Sequence, residues 1–85
     1  MKAATISEYG PRSVIQLTGV NCPEPRPGAL RIRVSAARVG PWDAFVREGR
    51  SGIPQNLPLI LGSDVAGSVD AIGAHVSDFS PGDEV

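Results

Sequence analysis

Glycine and proline interrupt the apolar stretches of this chain at short intervals. Ten glycines and eight prolines stand among its 85 residues, which is about a fifth of the chain against about 12% in an average protein. They separate short apolar runs and do not form a low-complexity block. This punctuation predicts many short strands joined by turns.

The clearest strand signal covers residues 29–39. Apolar and polar side chains alternate there, which is the period of a half-buried strand. The predicted inward face carries Leu30, Ile32, Val34 and Ala36, and the other face carries Arg31, Arg33 and Ser35. A second strand is predicted at 65–72, where Gly67 permits a bend or a close backbone contact. Weaker strands are predicted at 1–7 and 14–20, and loops at 21–28 and 50–58.

One short helix is predicted at 41–48. Pro41 suits a first helical position and Gly49 suits the position after the end. Three apolar side chains then share a face that we expect to pack on a sheet: Trp42, Phe45 and Val46. Asp43 and Arg47 are spaced to form an ion pair on another face. The predicted fold is therefore mainly β with one short helix.

Composition excludes several classes of protein. A chain of 85 residues forms one domain of marginal stability, and Cys22 as the only cysteine cannot form an internal disulfide, which favours a reducing, cytoplasmic setting. No apolar run is long enough to span a membrane. The net charge is −1 and the arginines are scattered, so no nucleic-acid-binding surface is expected.

The order of several motifs resembles the N-terminal part of the medium-chain dehydrogenase/reductase superfamily, especially its quinone oxidoreductase-like branch. The resemblance covers essentially the whole chain. Its motifs are Met1-Lys2-Ala3-Ala4, Pro23-Glu24-Pro25-Arg26-Pro27-Gly28, Arg31-Ile32-Arg33-Val34, Ala36 to Asp43, Arg47-Glu48-Gly49, the run from Gly62 to Gly73, and Asp78-Phe79-Ser80-Pro81-Gly82-Asp83-Glu84-Val85.

The resemblance implies a GroES-like catalytic domain, a distorted β-barrel that residues 1–85 contain only in part. In the superfamily a Rossmann domain follows, holds NADPH or NADH, and commonly mediates dimerisation. The present chain has no Gly-x-Gly dinucleotide fingerprint. We therefore expect these residues to be inactive alone, to require the missing Rossmann domain as a partner, and to belong to a homodimer when full length.

The resemblance also bears on zinc. The zinc-dependent branch carries a cysteine at the position of Gly40 and a histidine at the position of Ser63, whereas a catalytic zinc needs about three such ligands. No catalytic zinc is therefore expected, and the implied activity is NAD(P)H-dependent reduction of quinones, enones or related conjugated carbonyls. Two alternatives remain open: a stand-alone β-barrel module for binding or structure without enzymatic activity, and a zinc-type alcohol dehydrogenase relative that has lost its metal ligands.

Four residues are candidates for the site. Gly40, Trp42 and Asp43 are placed on the nicotinamide and substrate side, because free N–H groups at a helix start can face a carbonyl oxygen; the alternative is a tight turn with a core tryptophan. Ser63 is placed as a hydrogen-bond donor to the substrate, with a plain turn serine as the alternative. Three further residues are expected to be structural or inert: Asp64 in an arginine or backbone pair, with a catalytic role as the alternative, His75 in an exposed loop, and Cys22 as a loop thiol.

Overall fold

The computed structural model describes all 85 residues, and its fold is mainly β with one helix, as predicted. The chain divides into two compact units, Met1–Asn21 with Val39–Ser63 and Cys22–Arg38 with Asp64–Val85. No helix is both long and apolar enough to cross a membrane. The elements are β1 (Lys2–Ile6), a 3₁₀ turn (Arg12–Val14), β2 (Gln16–Gly19), β3 (Leu30–Ala37), α1 (Pro41–Arg47), β4 (Leu59–Ile60) and β5 (Val65–Ile72).

The first unit holds a three-stranded antiparallel sheet in the order β2-β1-β4. Its central strand, β1, supplies the buried residues: Ile6 is fully buried and Thr5 is 6% exposed. The Thr5 hydroxyl is satisfied by the Thr18 hydroxyl on β2 at 3.0 Å, so its burial leaves no unpaired polar group. β4 was not predicted, because a two-residue strand is too short to show an alternation.

The second unit is built on the antiparallel pair β3-β5. The other edge of β5 is covered by the end of the chain, where Gly67 and Val85 exchange backbone hydrogen bonds of 3.0 and 2.9 Å. Val69, at the middle of β5, is the buried apolar residue of this unit. Both sheets are open and neither closes into a barrel, in agreement with the incomplete barrel that the resemblance implied.

Two β-bulges interrupt the β3-β5 ladder. Ser35 on β3 and Asp70 on β5 have no Cα partner in the register. A bulge breaks the alternation of faces, and β3 is exposed from Arg33 to its end. The prediction that the whole apolar face of this strand is half-buried is therefore wrong beyond Ile32, and Val34 is 52% exposed.

The bulge at Asp70 is bound by arginine. Arg31 Nε donates to Asp70 Oδ2 at 2.8 Å, and Arg33 Nη2 lies 3.8 Å from Asp70 Oδ1. The hydrogen bond to Asp70 is the main reason that the pKa of Arg31 is raised. Arg31 Nη1 also donates to the Pro23 carbonyl oxygen at 3.3 Å, so one guanidinium ties the predicted proline-rich loop to the strand pair.

Two glycines, one on β5 and one directly after it, lie in close contact with the backbone of another segment. A Cβ at Gly67 would overlap the carbonyl oxygen of Arg33, and a Cβ at Gly73 would overlap the carbonyl oxygen of Arg26. The close contact predicted at Gly67 is therefore confirmed. Only glycine permits these approaches without moving the backbone.

Candidate functional site

The N-cap and first turn of α1 carry three of the four candidate residues. Gly40 is the N-cap and has an extended backbone, with φ −133° and ψ 174°. Pro41 is the first helical residue, where a missing N–H costs no hydrogen bond. The backbone N–H of Gly40 donates to Asp43 Oδ2 at 2.9 Å, and the N–H of Asp43 donates to the Gly40 carbonyl oxygen at 3.1 Å.

These two hydrogen bonds change the role expected for the backbone at the start of α1. The N–H of Gly40 is engaged by Asp43 and is not among the free N–H groups that were expected at this helix start. The carboxylate of Asp43 is engaged as well, and the residue is half-buried. A ligand at this turn therefore meets Trp42 and the backbone of Gly40, which carries no Cβ.

Trp42 is 46% exposed and Phe45 is 43% exposed. The alternative that makes Trp42 a core tryptophan is therefore wrong, and of the apolar stripe only Val46 is half-buried. The Arg50 guanidinium lies 6.0 Å from the centre of the Phe45 ring. An aromatic surface thus remains open along α1, where the sequence predicted packing against a sheet.

The ion pair predicted between Asp43 and Arg47 is also wrong. Asp43 turns back to Gly40, and Arg47 instead binds the Gly10 carbonyl oxygen through Nε and Glu48 Oε1 through Nη2, both at 3.1 Å. Helix capping explains the difference. A carboxylate in the first turn that accepts from the N-cap N–H stabilises the helix more than an exposed ion pair does.

Ser63 lies in a segment without regular structure, between Gly62, which has φ 101°, and Asp64. It is exposed, and its hydroxyl makes no hydrogen bond within the chain. It belongs to the same compact unit as Gly40, Trp42 and Asp43. The structure brings those three together in one turn and leaves Ser63 as a separate free hydroxyl.

The residues expected to be structural or inert have the predicted placements, while the inertness of His75 and Cys22 stays a prediction. Asp64 pairs with Arg38, whose Nη1 lies 3.6 Å from Asp64 Oδ2, and the Arg38 N–H donates to the Asp64 carbonyl oxygen at 3.1 Å. His75 is an exposed turn residue with φ 67°, and Cys22 is exposed and unpaired. A shallow open depression surrounds the Arg38–Asp64 pair and is lined mainly by small apolar side chains, Ala36, Ala37, Val65 and Ala66.

Metal donors do not gather anywhere in the chain. No three histidine, cysteine, aspartate or glutamate side chains lie close enough to hold an ion. Gly40 offers no side-chain ligand and Ser63 offers only a hydroxyl, which is not among the usual ligands of zinc. Neither of these two positions supplies a zinc ligand, and residues 1–85 contain no other cluster that does.

Sequence reasoning missed the internal use of Asp43, although a signal for it was present. Proline at the first helical position followed by an acidic residue at the third is the pattern of a capped helix start. It also missed Arg47, which is only 14% exposed. The partner of Arg47 is a backbone carbonyl 37 residues away, and no local pattern predicts such a contact.

Comparison with known proteins places these features in a family context. The family model described as alcohol dehydrogenase GroES-like domain matches residues 26–85. Pig (Sus scrofa) quinone oxidoreductase is 38% identical over 86 residues, which cover 100% of this chain and 26% of that protein. The chain therefore spans about a quarter of the length of this curated relative.

Two solved structures superpose closely on this chain. An NAD-dependent alcohol dehydrogenase matches with a TM-score of 0.92 and 38% identity, covering 99% of this chain and 24% of that one. A mycobacterial protein solved in complex with NADPH matches with a TM-score of 0.91 and 33% identity, covering 99% of this chain and 26% of that one.

Proposed function

Because the chain belongs to the alcohol dehydrogenase GroES-like domain family, we propose that it is the N-terminal catalytic-domain segment of a longer NAD(P)H-dependent oxidoreductase. The proposed substrates are quinones, enones or related conjugated carbonyls, and the proposed reaction uses no catalytic zinc. We place the enzyme in the cytoplasm, where reducing conditions keep an exposed thiol such as Cys22 free. We propose a homodimer for the full-length protein.

The observation that carries this proposal is the 38% identity to a quinone oxidoreductase across the whole chain. A similarity that runs through every element supports a shared fold and site in a way that a single motif does not. The match to a structure complexed with NADPH supports the same class of cofactor. The Rossmann domain that would hold this cofactor is proposed to lie in the three quarters of the relative that this chain does not match.

The residues at the two positions that carry zinc ligands in the zinc-dependent branch support a reaction without zinc. Gly40 and Ser63 together remove two ligands of the zinc branch, and no replacement cluster is present. A nicotinamide cofactor, when bound, supplies a hydride. The negative charge that develops on a quinone or enone oxygen is already delocalised over the conjugated system, so hydrogen bonds are sufficient to stabilise it.

Within this chain, Ser63 is the proposed donor to that oxygen. Its hydroxyl is exposed and has no competing partner, so it needs to break no internal bond before it binds a substrate. Trp42, half-exposed in the first turn of α1, provides a flat apolar surface for a planar ring. Gly40 permits close approach at the same turn, because it lacks a Cβ.

A metal-independent alcohol dehydrogenase is the second candidate, favoured by the match to an NAD-dependent alcohol dehydrogenase. This candidate corresponds to a zinc-type relative that has lost its ligands. It predicts oxidation of simple alcohols, whereas the leading proposal predicts reduction of conjugated carbonyls. Comparing the two substrate classes with one preparation separates them.

The test uses the full-length protein that contains these residues. After exhaustive chelation it should reduce a simple quinone with NADPH at an unchanged rate, and a zinc-dependent alcohol dehydrogenase treated in parallel should lose its activity. Loss of quinone reduction on chelation, restored by added zinc, would contradict the proposal. The isolated 85-residue chain should show no saturable NADPH binding in a fluorescence titration, and micromolar binding would refute the assignment of the cofactor to a second domain.

A further inference from the structure

Two stretches of this chain share the sequence pattern X-Pro-X-Asp and fold in the same way. They are Gly40 to Asp43 and Ser80 to Asp83. In each, the first N–H donates to Oδ2 of the aspartate at 2.9 Å, and the aspartate N–H donates to the first carbonyl oxygen at 3.1 Å. We call this pair of hydrogen bonds the Asp lock.

The two Asp locks stand in different compact units and different contexts. The first begins α1, whereas the second does not continue into a helix, because Gly82 has φ 97°. The second turn is also tied to β5, because the Gly82 N–H donates to the Val69 carbonyl oxygen at 2.8 Å. The same pair of bonds thus forms at a helix start and beside a strand, as a property shared by the two X-Pro-X-Asp sequences. Asp43 therefore has a complete role within the turn before any ligand is considered.

We propose that Asp43 is a positioning residue of the reductase site, acting through Gly40, and not a contact to the nicotinamide. This inference rests on the proposed function. Asp43 fixes the backbone of Gly40 and thereby the direction in which Trp42 leaves the turn. The assignment of Asp43 to direct cofactor binding, made from sequence, is replaced by an indirect role.

Charge supports this division of roles. A substrate that accepts a hydride gains negative charge, and a free carboxylate beside it would repel that charge. Bound to the Gly40 N–H in the first turn of α1, the carboxylate is compensated by a donor and by the helix dipole. The turn is thus held firmly without an uncompensated anion facing the substrate.

Substitution at Asp43 tests the role through the hydrogen bond. In the full-length protein, Asp43→Ala removes the acceptor, and kcat/KM for quinone reduction should fall about tenfold. Asp43→Asn keeps an amide oxygen that accepts from the Gly40 N–H, and should restore kcat/KM to within about threefold of the original. An asparagine variant as impaired as the alanine variant would overturn the proposal, because it would show that the charge itself contacts the ligand. Unchanged kcat/KM in both variants would overturn it too.

Hydrogen exchange at the Gly40 amide gives a readout that does not depend on activity. Exchange should accelerate about tenfold in Asp43→Ala and remain slow in Asp43→Asn. Equal exchange in both would refute the lock. If the full-length protein reduces no quinone at all, the proposed function fails, whereas the exchange result still decides whether Asp43 holds Gly40.

Asp83→Ala is the matched control, because it removes the same side-chain acceptor, the one bound by the Ser80 N–H, from a turn that is not assigned to the site. It should accelerate exchange at the Ser80 amide by a similar factor, leave the Gly40 amide slow, and leave kcat/KM within about twofold. A fall in kcat/KM as large as that of Asp43→Ala would overturn the positioning role, since it would show that loss of any Asp lock impairs the enzyme through stability alone.

Discussion

Gly10 and Arg47 are joined by two hydrogen bonds that run in opposite directions. The Gly10 N–H donates to the Arg47 carbonyl oxygen, and Arg47 Nε donates to the Gly10 carbonyl oxygen, both at 3.1 Å. The first bond satisfies a carbonyl in the last turn of α1, which has no partner within a helix. This pair fastens the C-terminal end of α1 to the segment between β1 and β2, while the Asp lock organises its N-terminal end.

Replacing Arg47 should therefore destabilise the chain more than replacing an exposed arginine. Arg47→Met keeps the apolar stem and removes the charged donor, and should lower the free energy of unfolding by about 1.5–3 kcal/mol. Arg50→Met is the control, because the Arg50 side chain is 71% exposed and makes only an exposed ion pair with Glu48 and a 6.0 Å contact with the Phe45 ring, and it should cost about 0.5–1 kcal/mol. Urea denaturation of both variants measures the difference, and equal losses would show that the contact with Gly10 contributes nothing.

A methyl group at Gly67 should be much more damaging than one at Gly19. Gly67→Ala forces the new Cβ against the Arg33 carbonyl oxygen, and separating β3 from β5 should cost more than about 2 kcal/mol. A Cβ at Gly19, which is also in a strand, meets nothing within 4 Å, so Gly19→Ala should change the free energy of unfolding by about 0.5 kcal/mol or less. Thermal melting monitored by circular dichroism compares the pair. Similar melting temperatures for the two variants would contradict the close backbone contact.

His75 holds a backbone conformation that suits glycine. Its φ of 67° lies in the left-handed region, which costs an L-residue about 1–2 kcal/mol, and glycine in turn costs some entropy in the unfolded state. His75→Gly should therefore stabilise the chain by about 0.5–1 kcal/mol. His75→Ala, which removes the imidazole and keeps the Cβ, is the control and should give no gain in urea denaturation. A gain in both variants would assign the effect to the side chain.

The sequence predicts features that depend on neighbouring residues better than features that depend on residues far away in the chain. Local signals succeeded: Pro41 and Gly49 correctly bounded the helix, and period-2 alternation located β3. Features that depend on contacts with distant parts of the backbone were not predicted. The sequence around Ser35 does not predict a bulge, because the bulge arises from the register in which β3 pairs with β5.

The candidate site shows the same limit. The residue types at Gly40 and Ser63 can be judged as zinc ligands from the sequence, because ligand chemistry depends on the side chain itself. The exposure of Trp42 depends on which surfaces the rest of the molecule covers, and amphipathic spacing cannot supply that information. The partner of Asp43 was decided by competition between a cap within the turn and an arginine one turn later.

The exposed hydroxyl of Ser63 leads to the prediction that bears most directly on chemistry. In the full-length protein, Ser63→Ala should lower kcat/KM for quinone reduction about tenfold or more, because a donor to the developing oxygen charge is lost, and should leave the KM for NADPH unchanged. Ser77→Ala, at another exposed serine outside regular structure, is the control and should retain full activity. Steady-state kinetics with the quinone and NADPH varied separately gives both constants. If Ser63→Ala retains kcat/KM, Ser63 is a turn residue, and the donor to the substrate oxygen must come from outside this segment.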